Sequence, residues 1–148
     1  MRKRKRKIPG PIEWSGYKDD LDVWHAHKLF FGKPMSDVQH FFGGTQSIER
    51  ADELLFMPRQ AFQYYVFAFA DFLLSDKAIG DPDSASPFLR LLVAREERDS
   101  GSVAQIYSEL LSTIEYVASH QSTYEADRNI YGNFEELAEK LHNLCVPR

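Results

Sequence analysis

The chain has 148 residues, of which 43% are hydrophobic and 27% charged, and this ordinary globular composition excludes disorder throughout the chain. Six of its 18 basic residues lie at positions 2–7, so residues 8–148 carry 12 basic and 22 acidic groups, a net charge of −10. A body this acidic disfavours nucleic-acid binding through its folded surface, because such binding depends on neutralising phosphates.

The first part of the chain predicts a tail, an irregular lead-in and three short helices. Residues 1–18 join the basic run to a stretch rich in proline and glycine, where Trp14 and Tyr17 are expected to hold the chain against the body. Helices are predicted over residues 19–31, 36–42 with Ser36 as N-cap, and 48–56 with Ser47 as N-cap. The third helix would place on one apolar face Ile48, Ala51, Leu54 and Leu55.

The clearest apolar segment covers residues 58–75. Pro58 fits the first turn of a helix, and the run that follows contains no other helix-breaking residue. A helix that is apolar almost all round has to be buried, so we expect this one to occupy the centre of the fold. Its main stripe includes Phe62, Val66, Phe69 and Leu73.

The second half predicts a polar loop and further helices. The loop covers residues 79–87, and Ser86 and Pro87 are expected to cap and begin a helix that ends near Arg98. An amphipathic pattern predicts the next helix, over 103–120, with Leu110 and Ile114 on its apolar face. Residues 121–132 fit either helix or loop. Asn133 then has the spacing of an N-cap for a last helix, which ends before Pro147.

These patterns together define the fold class. No run of six residues alternates as a strand does, so we predict an all-α protein. The expected architecture is a single compact bundle of about five to seven helices around the central helix at about 58–75, in one domain spanning residues 19–148. A disordered basic N-terminal tail and the irregular lead-in, residues 1–18, precede it.

Cysteine usage and hydropathy indicate the compartment. Cys145 is the single cysteine, which excludes an intramolecular disulfide and favours a reducing environment. The basic start is not followed by the apolar stretch of a signal peptide, and the most apolar window, 64–70, is too short to span a bilayer. We therefore expect a soluble, cytoplasmic protein.

The basic run is open to several interpretations. It consists of Arg2, Lys3, Arg4, Lys5, Arg6 and Lys7. Such a run serves in some proteins as a nucleic-acid arm, a contact for anionic membranes or a targeting signal. Blocks of like charge are more often solvated, disordered termini that keep a protein soluble, and this is the interpretation we favour.

Candidate catalytic and metal-binding residues are sparse. His25 and His27 point about 200° apart on a helix, so they are not expected to share an ion, and no metal or other cofactor is predicted. Cys145 follows a helix expected to pack on the core, which favours a buried thiol over a nucleophile. We therefore interpret the chain as non-catalytic.

The acidic body points to a protein partner. A charge of −10 would steer the chain towards a basic surface, so our first hypothesis is an acidic protein-binding module. Its analogy is with immunity or antitoxin inhibitors, in charge and size alone. The candidate contact residues are Asp81, Asp83, Glu96 and Glu97. The alternatives are a nucleic-acid-associated protein that uses its tail, or a small enzyme or ligand binder with a pocket beside the aromatic helix. The sequence specifies neither the partner nor the oligomeric state.

Overall fold

A computed structural model describes residues 6–147, and within this range it contains helices and no strand. Among these residues, six α-helices have ten residues or more, which confirms the predicted all-α bundle. The α-helices are α1 Leu21–Phe30, α2 Met35–Val38, α3 Gln46–Phe56, α4 Arg59–Leu73, α5 Pro82–Arg98, α6 Tyr107–Ser119, α7 Arg128–Tyr131 and α8 Phe134–Cys145. Short 3-10 helices lie at Tyr17–Asp19, Gln39–Phe41, Asp76–Ala78 and Ala104–Ile106.

The centre of the bundle is α4. Every residue from Ala61 to Ala70 is buried, and α2, α3, α5 and α6 all pack against this helix. The predicted core is confirmed, because each of its members is at most 1% exposed: Phe62, Val66, Phe69, Leu73, Leu110 and Ile114. Burial of so many large side chains supplies the main driving force for folding.

The lead-in is held against the body as the aromatic residues predict. Trp14 is fully buried, and its ring meets that of His27 edge-on with centroids 5.3 Å apart. His27 itself is stacked between Tyr17 and Phe31, at centroid distances of 3.6 and 4.4 Å. The start of α1 is fixed by Asp20, whose carboxylate accepts from the backbone N–H of Asp22 at 2.8 Å.

At the ends of three helices, backbone carbonyls accept hydrogen bonds from side chains that are distant in the sequence. The hydroxyl of Tyr65 donates to the carbonyl of Phe30 at the end of α1, at 2.6 Å. The hydroxyl of Tyr124 donates to the carbonyl of Leu73 at the end of α4, at 2.8 Å. At the end of α3, the guanidinium of Arg95 donates to the carbonyls of Leu55 and Met57. Because the last carbonyls of a helix lack partners within the helix, these side chains stabilise ends that are buried away from water.

The predicted start of α5 is wrong by five residues. The helix begins at Pro82 and contains Pro87 in its interior, so Ser86 is not its N-cap. Asp81 precedes the first turn, and its carboxylate accepts from the N–H of Gly44 at 2.9 Å and from the hydroxyl of Ser84 at 2.7 Å. The contact with Gly44 is tertiary and fixes the first turn of α5. Asp81 before Pro82 is also a local start signal, which the pair Ser86 and Pro87 repeats five residues later. The polar loop is correspondingly shorter than predicted.

Two other predicted caps are also wrong. Ser36 lies inside α2, which begins one residue earlier, and Ser47 lies inside the first turn of α3. The hydroxyl of Ser47 instead accepts from the N–H of Gly43 at 2.8 Å and lies 2.6 Å from the hydroxyl of Ser84. In the sequence alone, a buried serine that pairs with a distant hydroxyl looks the same as a serine that caps the helix locally.

Residues 121–132, for which the sequence allows either helix or loop, form a turn followed by the short helix α7. Gln121 organises it, because its side-chain amide donates to the carbonyls of Ala126 at 2.9 Å and Gly132 at 2.6 Å. The predicted cap at Asn133 is confirmed, since its side-chain oxygen accepts from the N–H of Glu135 at 2.8 Å. Within residues 6–147, no helix has both the length and the apolar character needed to cross a membrane.

Candidate functional site

The structure separates the four predicted contact residues into two pairs. Asp81 and Asp83 lie at the first turn of α5, whereas Glu96 and Glu97 lie near its end, about 20 Å further along the helix axis. Asp81 is held by the contacts described above, and Asp83 accepts from the hydroxyl of Tyr131 at 3.0 Å. Asp81 lies at the end of the short loop before α5, Asp83 lies within α5, and both are half-buried.

Glu96 is a structural residue. It is only 4% exposed, and its carboxylate accepts from the backbone N–H groups of Gly101, Val103 and Ala104 at 2.7, 2.8 and 3.0 Å. These bonds fix the turn between α5 and α6 and leave little carboxylate surface for a partner. Glu97 is exposed and forms an ion pair with Lys140 of α8, at 3.4 Å.

The end of the basic run lies against the body. Arg6 forms an ion pair with Glu109 of α6, and its guanidinium lies 5.4 Å from the ring centroid of Phe67 in α4. Lys7 is exposed. Arg2, Lys3, Arg4 and Lys5 lie outside the described residues.

An acidic groove lies between α1 and α3. Its volume is about 280 Å³, and its lining consists of Asp22, His25, Glu49, Asp52, Glu53 and Phe56. Glu53 is buried at its base, where Arg50 donates to it at 2.5 and 2.8 Å and His25 lies 3.1 Å away. Arg50 also forms an ion pair with Glu49 at 3.5 Å, so the exposed Asp22 and Asp52 contribute most of the negative charge at the rim of the groove. We call this feature the acidic groove.

Large apolar side chains lie exposed beside the acidic groove. Leu21 is 81% exposed and Trp24 is 42% exposed, one turn apart on α1. With His25 and Lys28 they surround a shallow depression of about 290 Å³. Because His25 also lines the acidic groove, the apolar side chains and the carboxylates form one continuous surface.

A second groove, between α3 and α5, is mainly apolar. Its volume is about 380 Å³, and three residues from each helix form its floor: Ile48, Ala51, Leu55, Pro87, Leu91 and Ala94. Its polar rim includes Asp52, Asp83 and Arg90, together with Tyr131 from α7. Asp52 belongs to both grooves. We call this second feature the apolar groove.

A third cavity, of about 550 Å³, lies beside α4, where the sequence allows a ligand pocket. Its walls are residues 6–13 of the lead-in and Gln60, Gln63 and Tyr64. The phenylalanines of α4 are buried and do not line it. The hydroxyl of Tyr64 accepts from the N–H of Met35 at 3.1 Å, so its polar atom is already engaged.

His27 and Cys145 have structural surroundings. Among the described residues, no group of three or more histidine, cysteine or carboxylate side chains is placed to hold a metal ion. Burial lowers the pKa of His27 and raises the pKa of the Cys145 thiol to about 12. A thiol with so high a pKa is almost entirely protonated at neutral pH and is a poor nucleophile.

No protein-family model, curated protein or solved structure matches this chain. The candidate site therefore rests on its geometry and charge.

Proposed function

We propose that this chain is a non-catalytic protein-binding module that binds a partner with a basic surface through α1 and α3. The observation that carries the proposal is the continuity of the acidic groove with Leu21 and Trp24. Protein interfaces commonly combine a large aromatic anchor with a charged rim, and tryptophan is enriched among the residues that contribute most to binding.

Electrostatics supports a basic partner. Asp22, Glu49 and Asp52 are all exposed around one groove, and they lie on a body whose residues 8–148 carry 12 basic and 22 acidic groups. Complementary charge accelerates encounter and rejects partners of like charge. In charge and size the chain is analogous to inhibitors of the immunity or antitoxin type, which cover the basic site of a toxin.

Site-specific photo-crosslinking tests the proposal. A benzophenone amino acid replaces Leu21 on the proposed face or Ile12 on the lead-in, two positions that are 81% and 83% exposed. After irradiation in the native cell, we expect the Leu21 position to capture a basic protein that the Ile12 position does not capture. The double variant Glu49→Lys/Asp52→Lys should abolish this capture.

A matched double variant controls for the change in net charge. Glu136→Lys/Glu139→Lys places two lysines at the same spacing near the start of α8, which lines neither groove. This control variant should leave the yield of crosslinking from position 21 unchanged. The proposal fails if both crosslinking positions capture the same proteins, or if the protein captured from Leu21 is not basic.

A further inference from the structure

We infer that the apolar groove receives an amphipathic helix of the same partner, with lysines or arginines along the flank that lies above α3. This inference rests on the proposed function and specifies the form of the partner's contact. It is carried by the shape of the groove, by the difference in charge between its two rims and by its continuity with the acidic groove.

The floor of the apolar groove has the dimensions of a helix-binding site. Ile48, Ala51 and Leu55 are spaced i, i+3 and i+7 on α3, so they extend over about 10 Å of its length. Pro87 and Ala94 mark the same length on α5. An amphipathic helix presents anchors at this same spacing when it binds in a hydrophobic groove. The two alanines allow its backbone to come close.

The two rims of the apolar groove differ in charge. The rim on α3 carries Asp52, which is exposed and for which no ion pair is found among residues 6–147. The rim on α5 carries both Asp83 and Arg90, so its two charges offset each other. Arg90 is held in place because it donates to the carbonyl of Tyr131 at 2.7 Å and to the hydroxyl of Ser86 at 3.3 Å. Like charges disfavour each other across an interface. The bound helix therefore places basic residues above α3, beside Asp52, and neutral or acidic residues above the part of α5 that carries Arg90.

The position of Asp52 joins the two grooves into one surface. Its side chain lines both of them, so a basic flank above α3 continues directly into the acidic groove. A helix in the apolar groove and a basic surface beside α1 are therefore contacts that one partner makes together. A small apolar ligand would contact only the apolar residues at the floor of the groove, and its binding would not depend on the charges of the two rims.

Two synthetic helical peptides test the inference against the full-length protein. Each has about 18 residues, carries a fluorescein label and presents leucines at i, i+3/i+4 and i+7. In the first peptide, lysines lie on one flank of the leucine stripe and glutamates on the other. In the second, glutamates lie on both flanks, so that neither direction of the helix in the groove places basic residues above α3. Fluorescence anisotropy gives the Kd of each peptide for the wild type and for each variant.

We expect the first peptide to bind, and the second to bind at least about fivefold more weakly. Ile48→Glu, at the edge of the floor, should weaken the first peptide about tenfold or more, whereas Ile12→Glu should leave its Kd unchanged. Asp52→Lys should weaken the first peptide and strengthen the second. A variant that had merely lost its fold would not strengthen either. Glu139→Lys should affect neither peptide.

Three results would overturn the inference: absence of peptide binding, equal Kd values for the two peptides, or indifference to Ile48→Glu. Binding of an apolar dye, anilinonaphthalene sulfonate, with the same sensitivity to Ile48→Glu but without peptide binding would identify a small-ligand site instead. If the peptides fail while crosslinking from Leu21 succeeds, only the helix inference is lost. If crosslinking fails while the peptides bind as expected, the proposed basic partner is lost and the groove remains a helix-binding site.

Discussion

Arg95 Nη1 lies 2.6 Å from the carbonyl oxygen of Met57, the residue that directly follows α3. The same nitrogen donates to the carbonyl of Leu55 at 2.8 Å, and the guanidinium carbon lies 4.9 Å from the ring centroid of Phe62. Arg95 is only 3% exposed, so one buried cation closes the end of α3 and ties it to α5 and α4.

We expect Arg95→Ala to lower the free energy of unfolding by about 2–4 kcal/mol, because it leaves buried carbonyls without donors. Arg98→Ala is the control. Arg98 is exposed on the same helix, and its guanidinium carbon lies 4.7 Å from the ring centroid of Phe56, a contact worth about 0.5–1 kcal/mol. Urea denaturation followed by circular dichroism measures both. Equal losses would contradict the capping role of Arg95.

Asp81 should prove structural. Asp81→Ala removes the acceptor for the N–H of Gly44 and for the hydroxyl of Ser84, and we expect it to reduce stability by about 1–2 kcal/mol. Glu139→Ala, at an exposed position of α8, should change stability by less than about 0.5 kcal/mol. Thermal melts of both variants provide the comparison. If they melt together with the wild type, Asp81 does not hold the start of α5.

Asp99 should make stability depend on acid. Its pKa is held well below the ordinary carboxyl range, first by the hydrogen bonds from Arg59 and then by the hydroxyl of Ser102. A depressed folded-state pKa contributes stability that is present above the unfolded value of about 3.9 and is lost as the pH falls towards the folded value. The advantage of the wild type over Asp99→Asn should therefore be constant from about pH 7 to pH 5 and shrink below about pH 4.

Urea denaturation at pH 7, 5 and 3 measures this difference, with Glu139→Gln as the control for general effects of acid. A gap between wild type and Asp99→Asn that stays the same at all three values would show that Asp99 has an ordinary pKa in the folded protein.

The contact of Arg6 with the body should be measurable. Arg6→Ala removes the ion pair with Glu109 and the stacking on Phe67, and we expect a loss of about 0.5–1 kcal/mol at low salt. The loss should diminish at about 0.5 M NaCl because salt screens the ion pair. Lys7→Ala, at the exposed neighbouring position, should leave the melting temperature unchanged. Equal behaviour of the two variants would mean that Arg6 does not pack on the body.

The fold could be predicted to the extent that it depends on local periodicity. The apolar run at 58–75 identified α4, and the spacing of Asn133 identified the cap of α8, since both signals lie within one or two helical turns. The start of α5 carries two local signals of the same kind, Asp81 before Pro82 and Ser86 before Pro87, and local patterns do not decide between them. The contacts of Asp81 with Gly44 and of Ser84 with Ser47, which span 37 positions, accompany the earlier start.

The candidate site was harder to predict for a similar reason. Glu96 has the appearance of a surface carboxylate in the sequence, but the turn after α5 folds back and places three N–H groups around it. Glu49 and Asp52 carry no motif at all. They become a site only because α1 packs beside α3 and brings Trp24 to the same surface, a juxtaposition of segments about 25 residues apart.

The distant caps also mean that three helix ends are synthesised before the side chains that cap them. The residue that caps α1, Tyr65, follows the end of that helix by 35 positions in the sequence. Arg95 follows the capped carbonyl after α3 by 38 positions, and Tyr124 follows the end of α4 by 51. At about 5–20 residues per second, the ribosome takes roughly 3–10 s to pass from Leu73 to Tyr124. During that interval the central helix α4 has been synthesised, but α5 and α6, which pack against it, are not yet complete.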